Sequence, residues 1–246
     1  MVISHKHKFI FFHAEKCAGT FIEKRLCEVL EEPEWKTAWA SPDWGNGVGK
    51  NLEGQYIKHM RPSQLKALWK GRFADYETWT SVRDPWGQYI SLYYMMTQWP
   101  KYASIEGFHA KKHGRVHGMN DYKSFNEFIR CASLGIGPKG AVGLFDRFKN
   151  YNTQFAEGLI QNYIRFDKMQ DGLNEFCRRY GLSRIDANNK KTHVADNGET
   201  YDCTSRHGTI DEEYDNHGFL TVQQTCKQDI NKFGFSKVLG DGRFCA

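Results

Sequence analysis

Four consecutive large apolar residues, Phe9-Ile10-Phe11-Phe12, break directly into the small, basic stretch His13-Ala14-Glu15-Lys16-Cys17-Ala18-Gly19-Thr20. So short an apolar run reads as a buried strand, and the stretch after it reads as a turn that opens a helix from about Thr20. A second segment has the same form. Ser81-Val82 closes a strand, Arg83 stands at its end, and Asp84-Pro85 starts a helix, with Asp84 as its cap and Pro85 in the first turn, where no N–H is required. Strands that run into helices in this way predict an α/β fold, a P-loop-like domain with a central, mostly parallel sheet flanked by helices. Ligands in such folds bind at the carboxyl ends of the strands.

Both turns carry the chemistry of an anion site. At the first, the unpaired N–H groups and positive dipole of a helix N-terminus face outward, Ala18 and Gly19 leave room for close backbone approach, and Thr20 offers a hydroxyl. Lys16 adds a mobile charge. The mechanism is that of a phosphate loop, but the sequence is not G-x-x-x-x-G-K-[ST], because the lysine precedes the glycine. At the second, the rigid fork of Arg83 suits a bidentate phosphate contact, and Ser91, eight residues on, is spaced to join it. Two grips at the ends of separate strands point to a doubly phosphorylated nucleotide.

At these residues the chain resembles the sulfotransferases that use 3′-phosphoadenosine-5′-phosphosulfate, and most of all the carbohydrate branch with the heparan and uronyl 2-O-sulfotransferases. Their first motif, Lys-x-Ala/Gly-Gly-Thr-Ser/Thr after an apolar strand, is matched by Lys16-Cys17-Ala18-Gly19-Thr20-Phe21. Their second, Arg-Asp/Asn-Pro-x-x-Arg-x-x-Ser-x-Tyr, is matched by Arg83-Asp84-Pro85-Trp86-Gly87-Gln88-Tyr89-Ile90-Ser91-Leu92-Tyr93. Phe21 replaces the usual hydroxyl, and Gln88 a frequent second arginine. The resemblance implies that residues 16–21 hold the 5′-phosphosulfate and that Arg83 and Ser91 hold the 3′-phosphate. It implies no metal. It extends over residues 7–237, including Tyr163-Ile164-Arg165-Phe166-Asp167 as a late strand and Asp229 to Phe235 as the C-terminal helix end. The whole chain, 1–246, is expected to form one domain.

Sulfuryl transfer needs a base for the acceptor hydroxyl and positive charge around the moving group and the leaving phosphate. Lys16 is placed for the second task. For the first, the 2-O branch carries a Tyr-His-Gly-His segment, which reads here Tyr56-Ile57-Lys58-His59 and keeps only the second histidine. His59 is therefore the expected base, with His13, which precedes the loop and is read to pack against or orient it, second and Glu15 third; histidine suits the role because its unperturbed pKa of roughly 6.5 leaves it largely neutral near pH 7.

The rest of the chain bounds this reading. Seven cysteines without a C-x-x-C pair or metal-ligand spacing predict reduced thiols, with Cys17 a weaker candidate nucleophile in the loop. A net charge of +5 suits an anionic cofactor and an anionic acceptor better than nucleic acid. Lys111-Lys112-His113-Gly114-Arg115-Val116-His117 is the one basic cluster, read as a solvated loop or a glycan contact. No run of about eighteen apolar residues predicts a membrane span. The methionine at residue 1 leads almost directly into the first strand, which favours a cytoplasmic microbial or viral enzyme over a trimmed lumenal domain of a Golgi one.

The predicted elements are strands at Lys8–His13, Gln55–His59, Thr78–Arg83 and Tyr163–Phe166, and helices at Thr20–Leu30, Pro62–Lys70, Pro85–Thr97, Tyr122–Cys131, Asn152–Glu157 and Met169–Tyr180. A last helix runs from about Asp211 or Leu220 to Lys232. Residues Asn188 to Val194 are read as a lysine-rich loop whose Lys190, Lys191 or His193 could touch the nucleotide. The acceptor, by this reading, is a hydroxyl of a glycan. The competing readings are a kinase or NTPase, against which the missing Walker lysine stands, and a degenerate module that binds a nucleotide or glycan without turnover.

Overall fold

The computed structural model describes residues 1–30, 59–102, 118–187, 192–194, 200–202, 209–237 and 239. In chain order the elements are β1 (Val2–Ser4), β2 (Phe9–Phe12), α1 (Gly19–Val29), α2 (Pro62–Trp69), β3 (Glu77–Val82), α3 (Pro85–Tyr102), α4 (Phe125–Ser133), α5 (Lys139–Phe148), α6 (Tyr151–Ala156), β4 (Asn162–Arg165), α7 (Met169–Tyr180), β5 (Thr192–Val194), β6 (Thr200–Asp202), α8 (Ile210–Glu213), α9 (Asn216–Thr225) and α10 (Lys227–Phe233). They fall into two compact units, Met1–Arg83 with Gln154–Cys203, and Asp84–Thr153 with Thr204–Ala246.

The first unit holds a four-stranded sheet in the order β1-β2-β3-β4, with β1 antiparallel to β2 and the other pairs parallel. This is the expected α/β, mostly parallel, P-loop-like sheet flanked by helices. Phe9 to Phe12 are fully buried, as a strand covered on both faces requires. Because side chains alternate, Phe9, Phe11 and Trp79 share one face; with Ile164 they pack against Ile22 and Leu26 of α1 and Leu173 and Phe176 of α7. The Phe176 ring meets Phe9 and Trp79 edge-on, each at 4.9 Å. Each such buried side chain contributes about 1.5–3 kcal/mol from burial alone. The edge strand β1 is not among the predicted elements, since Val2-Ile3-Ser4 is too short to show a period. A separate antiparallel pair joins β5 to β6.

The second unit is helical. Trp86 stacks on Phe219 at 4.9 Å and donates its indole N–H to the Phe219 carbonyl, while Tyr89 stacks on Phe145 and donates its hydroxyl to the carbonyl of that residue. Asp84 accepts from the Gly87 N–H at 2.7 Å, the cap expected for α3. Ser124 caps α4 through the Glu127 N–H.

Two expectations are corrected here. The single C-terminal helix is three short ones, because Tyr214 is extended and the Asp215 carboxylate takes the Gly218 N–H to start α9 afresh, and the chain turns again at Cys226. Helix α5 is absent from the predicted elements, although Ala141, Leu144, Phe145 and Phe148 bury at helical spacing; Gly140 and Gly143 mask that signal. Residues 31–54, 55–58 of the predicted second strand, Lys111 to His117, and Lys190 and Lys191 lie outside the described residues. Among the described residues no helix is long and apolar enough to cross a membrane.

Candidate active site

The turn after β2 has an unusual backbone. Lys16 and Ala18 both adopt the left-handed conformation with φ of 63°, and α1 starts at Gly19 with no side chain capping its first N–H groups. An L-residue there costs roughly 1–2 kcal/mol relative to glycine, so two within three residues mark a turn whose shape the packing imposes. Left-handed residues alternating with ordinary ones turn successive N–H groups to one side, forming a concavity for an anion next to the positive end of the helix.

The second grip meets the first. Arg83, directly after β3, donates from Nη1 to the Lys16 carbonyl at 3.3 Å, and its guanidinium lies 4.3 Å from the centre of the Phe166 ring after β4. The arginine is only 9% exposed, so the aromatic face and the carbonyl together fix its fork within the site. Thr80 Oγ1 further ties β3 to the end of β2 through the Phe12 carbonyl, at 2.8 Å.

Behind the loop lies a buried ion-pair cluster. His13 Nδ1–H donates to Glu23 Oε2 at 2.7 Å, and the amino group of Met1 contacts Glu23 Oε1. Burial alone would push the Glu23 carboxyl up, but the charges of His13 and the amino terminus outweigh it and hold the group well below the carboxylate range. Stability from this carboxyl is therefore complete above its ordinary value of 4.5 and drains away as the pH falls below it, because the unfolded chain takes up the proton first. Glu23→Gln should accordingly show a flatter loss of stability between pH 4.5 and about pH 2, measured by denaturant midpoints against the parent. The same carboxylate adds to burial in pushing the Cys27 thiol up to about 12.

The room at Gly19 is filled by protein. A Cβ there would stand 2.2 Å from Cδ2 and 2.6 Å from Nε2 of His13, so the glycine is required by the imidazole that packs on it. Alanine normally improves a helix, yet Gly19→Ala should destabilise by about 1–3 kcal/mol, because the ring is held by Glu23 and cannot swing away. Urea unfolding measures this. His59 sits in the turn before α2; its Nδ1–H donates to the His13 carbonyl at 3.2 Å, and its ring stands edge-on to His13 at 4.5 Å between centroids.

The structure therefore gathers Lys16, Cys17, Ala18, Gly19, Thr20, Arg83, His13 and His59 in the first unit. Cys17 is buried, with Sγ 3.4 Å from the Glu15 carbonyl. Phe21 packs by its side chain against the core of that unit and under Arg25, so only its backbone faces the turn. Ser91 and Gln88 lie buried on α3 in the second unit. Glu23 and Phe166 are site residues that the sequence motifs do not reveal. Glu23 leaves a trace, since Gly19, Ile22, Glu23 and Leu26 bury at i, i+3, i+4 and i+7, a carboxylate on the apolar stripe of α1. Among the described residues no group of three or more His, Cys, Asp and Glu side chains is placed to hold a metal.

Compared with known families, the chain matches the Sulfotransferase family over residues 1–240. No curated protein and no solved structure matches it. The match takes in the turn at residues 16–21, Arg83 and both units, and so the chain belongs to the sulfotransferase family, enzymes of sulfuryl transfer.

Proposed function

We propose that the protein transfers the sulfuryl group of 3′-phosphoadenosine-5′-phosphosulfate to a hydroxyl of a carbohydrate, as in the 2-O branch, with His59 as base. The observation that carries this reading is the left-handed turn at Lys16 and Ala18, which opens an uncapped helix and lies in contact with Arg83. Two sources of positive potential beside one concavity suit a ligand with two phosphate groups.

The residues fit that nucleotide. Backbone N–H groups from Ala18 to Phe21 bind the 5′ end, with the Thr20 hydroxyl beside them. Arg83 takes the 3′-phosphate, and the motif assigns Ser91 to the same anion. Bound, the cofactor supplies an activated sulfuryl group and, after transfer, leaves as adenosine 3′,5′-bisphosphate. Lys16 neutralises the charge that builds on the bridging oxygen as the bond to sulfur breaks. His59 takes the proton of the acceptor hydroxyl. No metal has a part in this scheme, and we assign the whole chain to one catalytic domain acting in the cytoplasm.

Incubation with cofactor labelled in the sulfuryl group and a panel of glycans tests the reading. Label in a glycan is the expected result; a protein that binds the nucleotide but labels no hydroxyl acceptor would be a binding module instead. Arg83→Ala should weaken adenosine 3′,5′-bisphosphate by on the order of 2–4 kcal/mol while changing adenosine 5′-phosphate little, as calorimetry would show. Equal losses for the two nucleotides would move Arg83 away from the 3′-phosphate.

A further inference from the structure

Three contacts converge on His13, a residue that the transfer scheme leaves without a task. Its Nδ1 is held by Glu23, its ring lies against the backbone of Gly19 where the phosphate loop becomes α1, and its carbonyl receives His59. His13 is 4% exposed and Glu23 equally so, which keeps the acceptor solution from reaching either group. His59, in contrast, is only partly buried.

We infer that His13, braced by Glu23, is a positioning residue that sets both the tautomer and the placement of His59 relative to the phosphate loop. The inference rests on His59 being the base. A carbonyl oxygen has no proton to give, so the ring nitrogen that faces it must carry one. His59 Nδ1 is that nitrogen, and the lone pair is left on Nε2. The edge contact between the two rings then limits rotation of His59 about its own side-chain bonds. Because the same His13 ring is seated on Gly19, the distance from the base to the anion site is transmitted through one rigid residue. A loop residue alone could not hold a base to within the fraction of an ångström that proton removal during transfer requires.

The proton inventory is simple. His59 Nε2 receives the acceptor proton, the other proton stays on Nδ1, hydrogen-bonded to the His13 carbonyl, and the imidazolium returns its Nε2 proton to solvent after the sulfated product leaves. Neither His13 nor Glu23 changes protonation in this cycle.

Long-range ¹⁵N–¹H spectra of the labelled parent protein, with the His59 signals identified by their loss in His59→Ala, read each ring nitrogen directly and need no turnover. The expected result at a pH where the ring is neutral is a protonated Nδ1 and a bare Nε2. A dominant Nε2–H form would overturn the proposal. His13→Asn supplies the second measurement, because its amide can still donate to Glu23 while the ring is gone. It should lower kcat by about tenfold to a hundredfold, while the Kd of adenosine 3′,5′-bisphosphate changes by less than about threefold. An unchanged kcat in folded His13→Asn would equally overturn it. The two readings fail separately: full rate in His59→Ala removes the base and with it the role of His13, whereas an Nε2–H tautomer in an enzyme that does need His59 removes the role of His13 alone.

Discussion

Replacing His59 with alanine should lower the rate of sulfuryl transfer by about 10²–10⁴, the span expected for loss of a general base, and should leave adenosine 3′,5′-bisphosphate bound nearly as before. The separation comes from what the side chain would serve: a base acts on the acceptor, while the proposed nucleotide contacts are those of the loop and Arg83. The pH profile carries the same information. A base works only when unprotonated, so kcat/KM of the parent should rise with pH across the histidine range, roughly 5 to 8, and the variant should lose that limb. A variant that keeps both limb and rate would hand the role to another group. Glu15 would then be the first to test, because His13 Nδ1 is already committed to Glu23.

Lys16→Ala should cut turnover by at least about a hundredfold, because charge developing on the leaving oxygen loses its partner. Binding should suffer less. The N–H groups at the start of α1 are backbone and stay in place, and Arg83 reaches the Lys16 carbonyl, which alanine keeps. The left-handed φ at residue 16 is no easier for alanine than for lysine, so the loop should retain its shape and the loss should be one of chemistry. Single-turnover rates set beside nucleotide affinity make the comparison. Near-normal turnover would reduce Lys16 to a surface charge.

What the sequence disclosed about this fold was its periodic and punctuated parts. The all-apolar Phe9 to Phe12 reads as a covered strand, Asp84-Pro85 reads as a helix start, and Gly181 in the left-handed conformation ends α7 where its spacing says it should. Short elements did not show: β1 has three residues, and the break between α8 and α9 depends on one aspartate choosing a backbone N–H over solvent. For the candidate site, residue types and order pointed to the loop and Arg83 as anion-binding groups, since such binding uses backbone and guanidinium groups that a local motif can encode, and in the structure the two meet at the Lys16 carbonyl. The brace behind the loop was not legible in that way. Glu23, His13, Gly19 and His59 meet only after β2, α1 and the turn before α2 are packed, and no local pattern announces a histidine ring seated on a glycine. Phe166 reads in the sequence as the end of a strand, and its place over Arg83 is likewise a product of sheet order.

The most direct measurement of the central claim is the melting temperature of the parent protein with adenosine 3′,5′-bisphosphate, compared with ATP and Mg²⁺. A ligand that binds only the folded state raises the melting temperature, and at a hundredfold excess over its Kd the stabilisation is about 2.7 kcal/mol. A clear rise with the bisphosphate and little with ATP and Mg²⁺ is the result predicted by a two-phosphate site built from the Lys16 loop and Arg83. A rise with ATP and Mg²⁺ alone would contradict it, and would place the protein with enzymes that move phosphoryl groups.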